Sequence, residues 1–313
     1  MFSLVGRLRR KGVIGINRRN ADFMLPYNPR RFYPLVDDKL LTKRLAEDAG
    51  ISVPALYGVI EIERQVRDLA RQLDGHDDFV IKPARGSRGD GIVVISGRLG
   101  YGYRKAGGNP VDIAELQHHV SNILGGMYSL GGQPDKAMVE YRVRFDPVFE
   151  AISFIGVPDV RIIVFLGVPV MAMVRLPTRI SDGKANLHQG AVGAGVDIAT
   201  GKTLKAVWFN DVIGEHPDTG NPVSGIAIPQ WPRLLELASR CYRLTGLGYQ
   251  GVDIVLDRDK GPLILELNAR PGLNIQIANQ AGLLHRLEAI ELNRENLNDT
   301  ASCVDFAVRH FAA

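Results

Sequence analysis

An apolar hairpin in the C-terminal third of the chain carries polar side chains that a buried strand ordinarily lacks. Residues 250–256 and 262–267 are rich in Val, Ile and Leu and are separated by a short turn-forming stretch, which predicts two antiparallel strands. Asp253 lies on the first strand, and Glu266 and Asn268 project from one face of the second. An unpaired buried carboxylate is costly, so these oxygen ligands predict a site for a hard cation such as Mg²⁺.

Salt bridges or a solvent-facing strand edge would also accommodate these acids. For Asp253 taken alone, this ordinary explanation is the better one. The three residues together favour the metal site, because Mg²⁺ prefers oxygen ligands and commonly shares its coordination sphere with nucleotide phosphates.

Composition places the chain among ordinary globular proteins. Its 313 residues are 45% hydrophobic and 23% charged, enough for one large core or two smaller ones. No apolar run approaches the roughly 20 residues that span a bilayer, and the N-terminus becomes basic at Arg7, so a cytoplasmic protein is expected. Cys241 and Cys303 are far apart in sequence, which favours two packing residues over a disulfide or a zinc site.

The first 35 residues form a basic, proline-containing segment, for which we predict an irregular arm with one short strand at 12–17. A single acid, Asp22, faces eight basic residues: Arg7, Arg9, Arg10, Lys11, Arg18, Arg19, Arg30 and Arg31. Such a run attracts an acidic partner, but a solvated arm without a specific target explains it equally well. Nucleic acid is the weaker candidate partner, because the interleaved aromatic residues are few.

Helices and strands alternate after this arm, which predicts a mixed α+β protein. The first helix begins at Asp37 or Asp38 and ends at Gly50. Predicted strands cover 55–60, 79–82, 91–96, 137–141, 160–166 and 169–175, in addition to the hairpin; predicted helices cover 61–73, 112–124, 229–245, 275–293 and 299–311. Residues 97–108, 125–132 and the polar stretch reaching about Gly195 are predicted loops.

A glycine-rich segment follows the strand that ends in Lys82. Gly86, Gly89 and Gly91, together with Ser87, allow backbone N–H groups to approach an anion, while Lys82 supplies a positive charge. The segment therefore predicts a loop that closes over phosphates, although a flexible hairpin tip explains the same residues. It lacks the spacing of the glycine-rich loop that ends in Lys-Ser/Thr.

Three further groups of residues are weaker candidates. The strand predicted at 137–141 contains Glu140 and Tyr141 and runs into a looser segment at Val143, where a carboxylate and a backbone edge can read an adenine amino group. Lys184 and Asn186 lie in a polar loop with His188, which is either a base or a locally bonded side chain. Arg161 and Arg175 lie on neighbouring apolar strands, where a buried guanidinium requires an anion.

Taken in order, these motifs resemble the ATP-grasp superfamily, and within it the alpha-L-glutamate ligase-like branch related to the RimK-type enzyme. The resemblance covers about residues 36–290. The motifs that carry it are Asp38-Lys39 with Gly50–Pro54, Val80–Pro83, Val139–Tyr141, Asp159–Arg161, Asn186–His188, Gly251–Ile254 and Leu265–Gly272. The fold that it implies is α+β, with two subdomains whose antiparallel sheets sandwich the nucleotide.

The resemblance also implies a role for each motif. Lys39 and Lys82 would hold phosphates, Glu140 with the 141–143 backbone would hold adenine, and Asp159 would lie near the ribose. Lys184 and Asn186 would face the γ-phosphate. Asp253, Glu266 and Asn268 would bind up to two Mg²⁺ ions, for which Mn²⁺ is an expected substitute. Arg161 or Arg175 would stabilise the negative charge of phosphoryl transfer. Arg270, the third candidate catalytic residue, places an extra cation next to the metal site, where it would recognise a second carboxylate such as glutamate offers.

The implied division of the chain is a truncated pre-ATP-grasp arm at 1–35, a central and lid subdomain at 36–142, and a C-terminal metal-binding subdomain at 143–313. The implied activity is an ATP-dependent ligase that joins an amino acid, for which glutamate is the expected choice, to a carboxylate-bearing small acid, peptide or protein. A phosphotransferase without amine attack and a non-catalytic nucleotide-binding module remain alternatives. A homodimer is the expected assembly.

Overall fold

The computed structural model describes residues 4–86 and 89–313. The chain divides into two compact units. The smaller unit contains residues 38–44 and 53–143, and the larger unit contains the residues up to Asp37 together with 45–52 and 144–313. The basic N-terminal segment therefore belongs to the larger unit. Over the part of the chain that is described, no helix has the length and apolar composition needed to cross a bilayer.

Short helical turns make up most of the N-terminal segment. They are α1 (Leu4–Arg10), α2 (Ile16–Arg18), a π-helical turn at Arg19–Met24, α3 (Leu25–Tyr27), a 3₁₀ turn at Arg30–Phe32 and α4 (Pro34–Asp37). The predicted strand at 12–17 is wrong. Its backbone bonds elsewhere: Leu284 donates to the Gly12 carbonyl, and the Gln276 side chain bonds both the N–H and the carbonyl of Ile14. The hydrogen bonds that would define a strand are thus already used.

The helix α5 (Lys39–Asp48) confirms the predicted start and stop signals. The Asp38 carboxylate accepts hydrogen bonds from the N–H groups of Leu40 and Leu41, at 3.0 and 3.1 Å, and so caps the first turn. Gly50, whose φ is +64°, follows the last turn in the left-handed conformation that glycine adopts without strain.

In the smaller unit, the described residues form a six-stranded antiparallel sheet in the order β1-β6-β2-β3-β4-β5. Its elements are β1 (Leu56–Ile60), α6 (Glu63–Val66), α7 (Leu69–Gln72), β2 (Phe79–Pro83), β3 (Val93–Leu99), β4 (Gly102–Lys105), β5 (Pro110–Val111), α8 (Ile113–Leu124) and β6 (Ala137–Glu140). The loop predicted at 97–108 is wrong, since β3 and β4 form a hairpin there. The helix predicted at 61–73 is divided into α6 and α7.

The apolar core of the smaller unit lies between its sheet and α8. Fully buried side chains from β2 and α8, among them Phe79, Ile81, Leu116 and Ile123, pack together. The carboxylate of Asp112 accepts from the Glu115 N–H at 2.8 Å, so α8 begins with a capping box. Burial of this α8 face fixes β2, which leads into the glycine-rich segment.

In the larger unit, the part of the chain that is described forms a seven-stranded antiparallel sheet in the order β11-β10-β9-β8-β7-β12-β13. The strands are β7 (Asp159–Phe165), β8 (Val168–Leu176), β9 (Val192–Val196), β10 (Thr203–Trp208), β11 (Asp211–Ile213), β12 (Tyr249–Asp257) and β13 (Gly261–Asn268); the helices are α9 (Trp231–Thr245), α10 (Asn274–Ala278), α11 (Leu284–Leu292) and α12 (Thr300–His310). The strands β10 and β11 were not predicted from the sequence, and β9 lies in the stretch for which a loop was predicted.

The helix predicted at 275–293 is interrupted between α10 and α11. Gln280 has a positive φ of 51°, which ends α10. Gly282 lies so close to Gly12 that a Cβ there would come within 1.9 Å of the Gly12 carbonyl carbon. The N-terminal segment therefore occupies the space that a continuous helix would require.

The predicted hairpin is confirmed as β12 and β13, with Asp253 paired to Glu266 and Gly251 paired to Asn268. The register shifts by one residue immediately after Asp253. Residues opposite each other on antiparallel strands share a face, so one face of this sheet carries all three predicted metal ligands. Val252 and Ile254, which alternate with Asp253, are fully buried on the opposite face.

His216 is expected to make the stability of the larger unit depend on pH. It is 1% exposed, one ring nitrogen bonds the Pro177 carbonyl, and the other accepts from the Asp218 N–H. Burial lowers the pKa of His216 below its ordinary value of 6.5. The unfolded chain then binds more protons than the folded one, so stability should fall as the pH decreases through 6.5.

We expect His216→Gln, which retains a donor for Pro177, to make the free energy of unfolding less dependent on pH between 7 and 5. Urea titrations at several pH values measure this change. The exposed His188 provides the control variant His188→Gln. A His216→Gln protein whose unfolding free energy varied with pH as in the parent chain would contradict the assignment.

Candidate functional site

A buried cluster of opposite charges lies in the smaller unit. Glu140 at the end of β6 accepts from the Nζ of Lys82 at 2.5 Å and lies 2.8 Å from the Nζ of Lys43. All three residues are at most 5% exposed. Burial would raise the pKa of Glu140, but the charges of Lys82 and Lys43 outweigh burial and lower it. The carboxylate therefore stays ionised and holds two lysines in position.

The Glu140 carboxylate binds two lysines in this structure, and its predicted contact with adenine stays a prediction. Both of its oxygens face lysine Nζ atoms. The backbone of residues 141–143 follows β6 without regular secondary structure, and the Tyr141 N–H donates to the Ala55 carbonyl at 2.8 Å. Val143 is 8% exposed. An adenine contact by Tyr141 and Val143 stays a prediction.

The N-terminal end of the glycine-rich segment is anchored by polar contacts. The Asp135 carboxylate accepts from the Arg85 N–H at 2.9 Å and from the Ser129 hydroxyl at 2.8 Å. Lys39 donates its Nζ to the Gly86 carbonyl at 2.6 Å. A Cβ at Gly86 would come within 2.2 Å of the Pro83 ring, so no larger residue fits without movement.

The C-terminal end of the glycine-rich segment is anchored by the imidazole of His119. The Nε2 of His119 lies 2.9 Å from the Gly91 carbonyl, and the Tyr128 hydroxyl lies 3.4 Å from Nδ1. Gly91 has a φ of +74°, and a Cβ there would approach the Tyr128 ring at 2.5 Å. Gly89 also has a positive φ of 80°. Ser87, which sequence analysis assigned to phosphate binding, lies outside the described residues.

Four charged side chains form a continuous network on one face of the sheet in the larger unit. Arg161 on β7 donates from Nε and Nη2 to the two oxygens of Asp253, at 2.7 and 2.6 Å. Arg175 on β8 donates to both oxygens of Asp159 at 2.5 Å and to Asp253 Oδ2 at 2.7 Å. The cross-strand pairs Asp253–Arg161 and Asp159–Arg175 explain why these side chains meet.

Burial and charge act in opposite directions on this network. Burial would raise the pKa of Asp253, but Arg161 and Arg175 outweigh it and lower the pKa. Burial raises the pKa of Asp159, against the opposing charge of Arg175 and with the support of Asp253. Burial would lower the pKa of Arg175, but Asp159 and Asp253 raise it. Arg175 is thus held as a cation, and two hydrogen bonds to Asp253 fix the position of the Arg161 guanidinium.

The predicted metal trio is only partly available for a cation. A carboxylate has about four lone-pair sites, and three of those on Asp253 already accept from arginines. This is the salt-bridged arrangement that sequence analysis left open for Asp253 alone. The Asn268 Oδ1 accepts one hydrogen bond, from the Arg270 N–H at 2.9 Å. Glu266, the third predicted ligand, lies directly opposite Asp253 on the neighbouring strand.

Two carboxylates and an amide oxygen are ligand types that suit Mg²⁺, and Asp253 and Asn268 each retain one lone pair for it. Within residues 4–86 and 89–313, no three His, Cys, Asp or Glu side chains gather in one place to hold a metal. The remaining ligands must then come from water or from a phosphate-bearing substrate, as is usual for Mg²⁺.

The other predicted residues are placed as follows. The Asn186 side chain accepts from the His188 N–H at 3.0 Å and so begins a short 3₁₀ turn. The Lys184 N–H donates to the Ser181 carbonyl. Arg270 is exposed, with its guanidinium 4.5 Å from the centre of the Tyr33 ring. Asp159 binds Arg175, and its predicted position near a ribose stays a prediction.

Sequence analysis did not single out several residues that the structure brings to these sites. They are Lys43, Asp135, His119, Tyr128 and Tyr33. Lys43 follows Lys39 by four residues and therefore lies on the same side of α5, a signal that was available. Asp135 and His119 act on the glycine-rich segment across tens of residues, and no local pattern indicates such contacts.

The ATP-grasp fold has two antiparallel sheets, a glycine-rich segment on one of them, and a hairpin with carboxylates on the other, which is here the hairpin of β12 and β13. The chain belongs to the sugar-transfer associated ATP-grasp family, whose model matches residues 18–292. The expected superfamily and the expected α+β fold class are thereby confirmed.

Individual relatives are more distant. A probable alpha-L-glutamate ligase from Parasynechococcus marenigrum (strain WH8102) is 24% identical over 236 residues, which are 75% of this chain and 36% of that protein. The chain thus spans about a third of the length of this curated relative. The D-cycloserine synthetase DcsG is 15% identical, covering 85% of this chain and 73% of the other, with a TM-score of 0.48. The D-alanine–D-alanine ligase from Bacillus anthracis is 13% identical, covering 84% of this chain and 70% of the other, with a TM-score of 0.46.

Proposed function

We propose that this chain is an ATP- and Mg²⁺-dependent carboxylate–amine ligase that forms an amide bond through an acyl phosphate, with glutamate as the amino acid it adds. The observation that carries the proposal is the arginine–carboxylate network beside Glu266. Arg161 and Arg175 are fixed cations next to the oxygen ligands of the hairpin. Such an arrangement can stabilise the charge that develops during phosphoryl transfer.

The residues of the smaller unit would bind and orient the nucleotide. Lys82, held by Glu140, supplies a positive charge whose side-chain rotation is already restricted. Lys39 restrains the Gly86 carbonyl, while Asp135 and His119 anchor the glycine-rich segment at its two ends. This segment would then cover phosphates and exclude water, which protects a hydrolysable acyl phosphate.

The residues of the larger unit would act on the transferred group. When bound, Mg²⁺ held by Glu266, Asp253 and Asn268 would neutralise charge on the phosphate oxygens. Arg161 and Arg175 would donate hydrogen bonds to oxygens that gain negative charge. Asp159 holds Arg175 by two bonds, so that this guanidinium does not need to reorganise during the reaction.

The proposed chemistry balances in two steps. A substrate carboxylate oxygen attacks the γ-phosphorus of ATP, the bond to the bridging oxygen breaks, and ADP leaves. The amine nitrogen of the second substrate then attacks the acyl carbon, phosphate leaves with the electron pair of the C–O bond, and the nitrogen loses a proton to solvent. No covalent bond to the protein forms, so positioning and electrostatics supply the rate enhancement.

The test is a screen of carboxylic acids and amino acids for release of ADP, with mass spectrometry of the products. A ligase releases ADP only when both substrates are present, and hydroxylamine in place of the amine yields a hydroxamate. ADP release with a phosphorylated acid as the final product would instead assign a phosphotransferase. Absence of ADP release with every pair would refute the proposed activity.

Arg161 allows a conservative test of the network. We expect Arg161→Lys to lower ADP release about tenfold or more, because a single ammonium cannot replace two parallel bonds to Asp253. Initial rates at saturating ATP measure the effect. The variant Arg309→Lys, at an exposed arginine on α12, controls for the same change elsewhere in the larger unit. Equal rates for both variants would remove Arg161 from the proposed mechanism.

A further inference from the structure

The N-terminal segment places a buried arginine beside the end of β13. Arg19 is only 7% exposed. Its Nη1 donates to the Pro271 carbonyl at 2.6 Å, and its Nε and Nη2 donate to the Asn20 side-chain oxygen at 3.0 and 2.8 Å. Among residues 4–86 and 89–313, no carboxylate forms an ion pair with Arg19. A buried guanidinium without an acid is unusual and calls for an anion.

The segment that carries Arg19 is held firmly in the larger unit. The Asn28 side chain accepts from the Tyr249 N–H at 2.8 Å and donates to the Tyr249 carbonyl at 2.6 Å. The Gln276 amide forms the corresponding pair of bonds with Ile14, both at 3.0 Å. These bonds lie on either side of Arg19 in sequence, so its position is set by the fold and not by chance contact.

A second arginine lies next to the residue whose carbonyl Arg19 binds. Arg270 precedes Pro271, the residue whose carbonyl Arg19 binds, and its N–H donates to Asn268. Its guanidinium carbon lies 4.5 Å from the centre of the Tyr33 ring, and Tyr33 also belongs to the N-terminal segment. Burial lowers the pKa of Arg19, and the charge of Arg270 lowers it further. The described part of the chain offers Arg270 no ion pair either.

We infer that Arg19 and Arg270 together bind a carboxylate of the substrate that remains unreacted while another group of that substrate forms the amide bond. This inference rests on the proposed ligase activity, because only that activity makes the bound molecule a substrate that forms an amide bond. Arginine has five N–H donors, of which Arg19 uses three within the protein. The remaining donors and the planar geometry of the two guanidinium groups suit a carboxylate.

The position of the pair defines the class of substrate. Arg270 is two residues from Asn268, which belongs to the proposed Mg²⁺ ligands, so a carboxylate bound by the arginines lies close to the chemistry. The substrate would be an acidic amino acid, or a peptide that ends in one. The N-terminal segment thereby becomes part of the substrate site, since it provides both Arg19 and Tyr33.

Calorimetric titration of the full chain without ATP tests this inference. The probes are L-glutamate, L-glutamine and a diglutamyl peptide, of which glutamine lacks the side-chain carboxylate. We expect glutamate or the peptide to bind with a Kd of about 1 mM or tighter, and Arg270→Gln to weaken that binding about tenfold or more. Arg270→Lys should recover part of the loss. Arg30→Gln removes an exposed arginine from the same segment and should leave binding unchanged.

The outcomes separate this inference from the proposed function. If glutamate binds to the parent chain but not to Arg270→Gln, the carboxylate site is supported even if no ADP is released. If the diglutamyl peptide binds more tightly than glutamate, the bound carboxylate belongs to a peptide substrate. Absence of binding by both acidic probes, or equal affinities in Arg270→Gln and Arg30→Gln, would overturn it. Arg19→Lys gives an independent check, and because Arg270 is exposed, Arg270→Gln is informative even if the Arg19 variant fails to fold.

Discussion

Replacing Glu266 by Gln is expected to lower ADP release by about 100-fold or more. Glu266 lies directly opposite Asp253, and its negative charge contributes to the raised pKa of Arg175. Glu266 is one of the two carboxylates of the proposed Mg²⁺ site, and three lone-pair sites of the other, Asp253, already accept hydrogen bonds from arginines. The amide retains the shape of the side chain but removes its charge.

The measurement is the rate of ADP release with the substrate pair selected by the screen, as a function of Mg²⁺ concentration. Glu236→Gln provides the matched control, because Glu236 is an exposed glutamate on α9 of the same unit. Urea titration of both variants should show equal stabilities. A Glu266→Gln protein that released ADP at more than half the parent rate would refute the metal assignment and both enzymatic interpretations of the chain.

The hairpin that carries Glu266 was predictable because its signal is local. Two apolar segments separated by a turn specify antiparallel pairing, and alternation along each strand specifies the shared face. The cap of α5 at Asp38 and the core helix α8 follow equally from short patterns. In these elements the residues that determine the structure lie within about ten positions of one another.

The partners of the acidic residues were not predictable in the same way. Asp253 lies 92 residues from Arg161 in the chain and 78 from Arg175. Sequence analysis singled out all three but gave them separate roles, because the strand order that makes them neighbours is a property of the whole sheet. Hydrogen bonds from the two arginines therefore occupy three lone-pair sites of Asp253, which the sequence predicts to be a metal ligand.

The N-terminal segment shows the same limit more sharply. Its prolines and charges predict an irregular arm, yet its backbone and side chains are bonded to Gln276, Tyr249 and Pro271. No pattern within the segment indicates these contacts, since their partners lie more than 200 positions away. A run of arginines thus contains both solvent-exposed charges and one buried cation, and only the tertiary structure distinguishes them.

Glu140 is the acid whose loss should be most harmful to the fold. In the variant Glu140→Gln, the buried Lys82 and Lys43 would face a neutral amide in place of the carboxylate that they contact. Breaking a buried ion pair by removing one partner typically costs about 3–5 kcal/mol. We expect a decrease of this size in the free energy of unfolding of the smaller unit.

Hydrogen exchange of peptides from β2 and β6 measures this effect locally, because these strands carry Lys82 and Glu140. The matched control is Glu150→Gln, which breaks an exposed pair with Arg258 and should change stability by about 0–1 kcal/mol. Replacing Lys43 by Met in the Glu140→Gln background removes one of the two buried positive charges and should restore part of the protection.

The same variant connects the fold to nucleotide binding. If Glu140 positions Lys82 for phosphate, then Glu140→Gln at a temperature where it remains folded should bind ADP more weakly, and fluorescence titration with a labelled nucleotide would show the change. Lys43→Met alone retains the Glu140–Lys82 pair, so it should bind nucleotide nearly as well as the parent chain. Equal protection of β2 and β6 in Glu140→Gln and Glu150→Gln would mean that the buried cluster does not stabilise the sheet. Unchanged nucleotide affinity in folded Glu140→Gln would mean that Lys82 does not depend on Glu140 for its position.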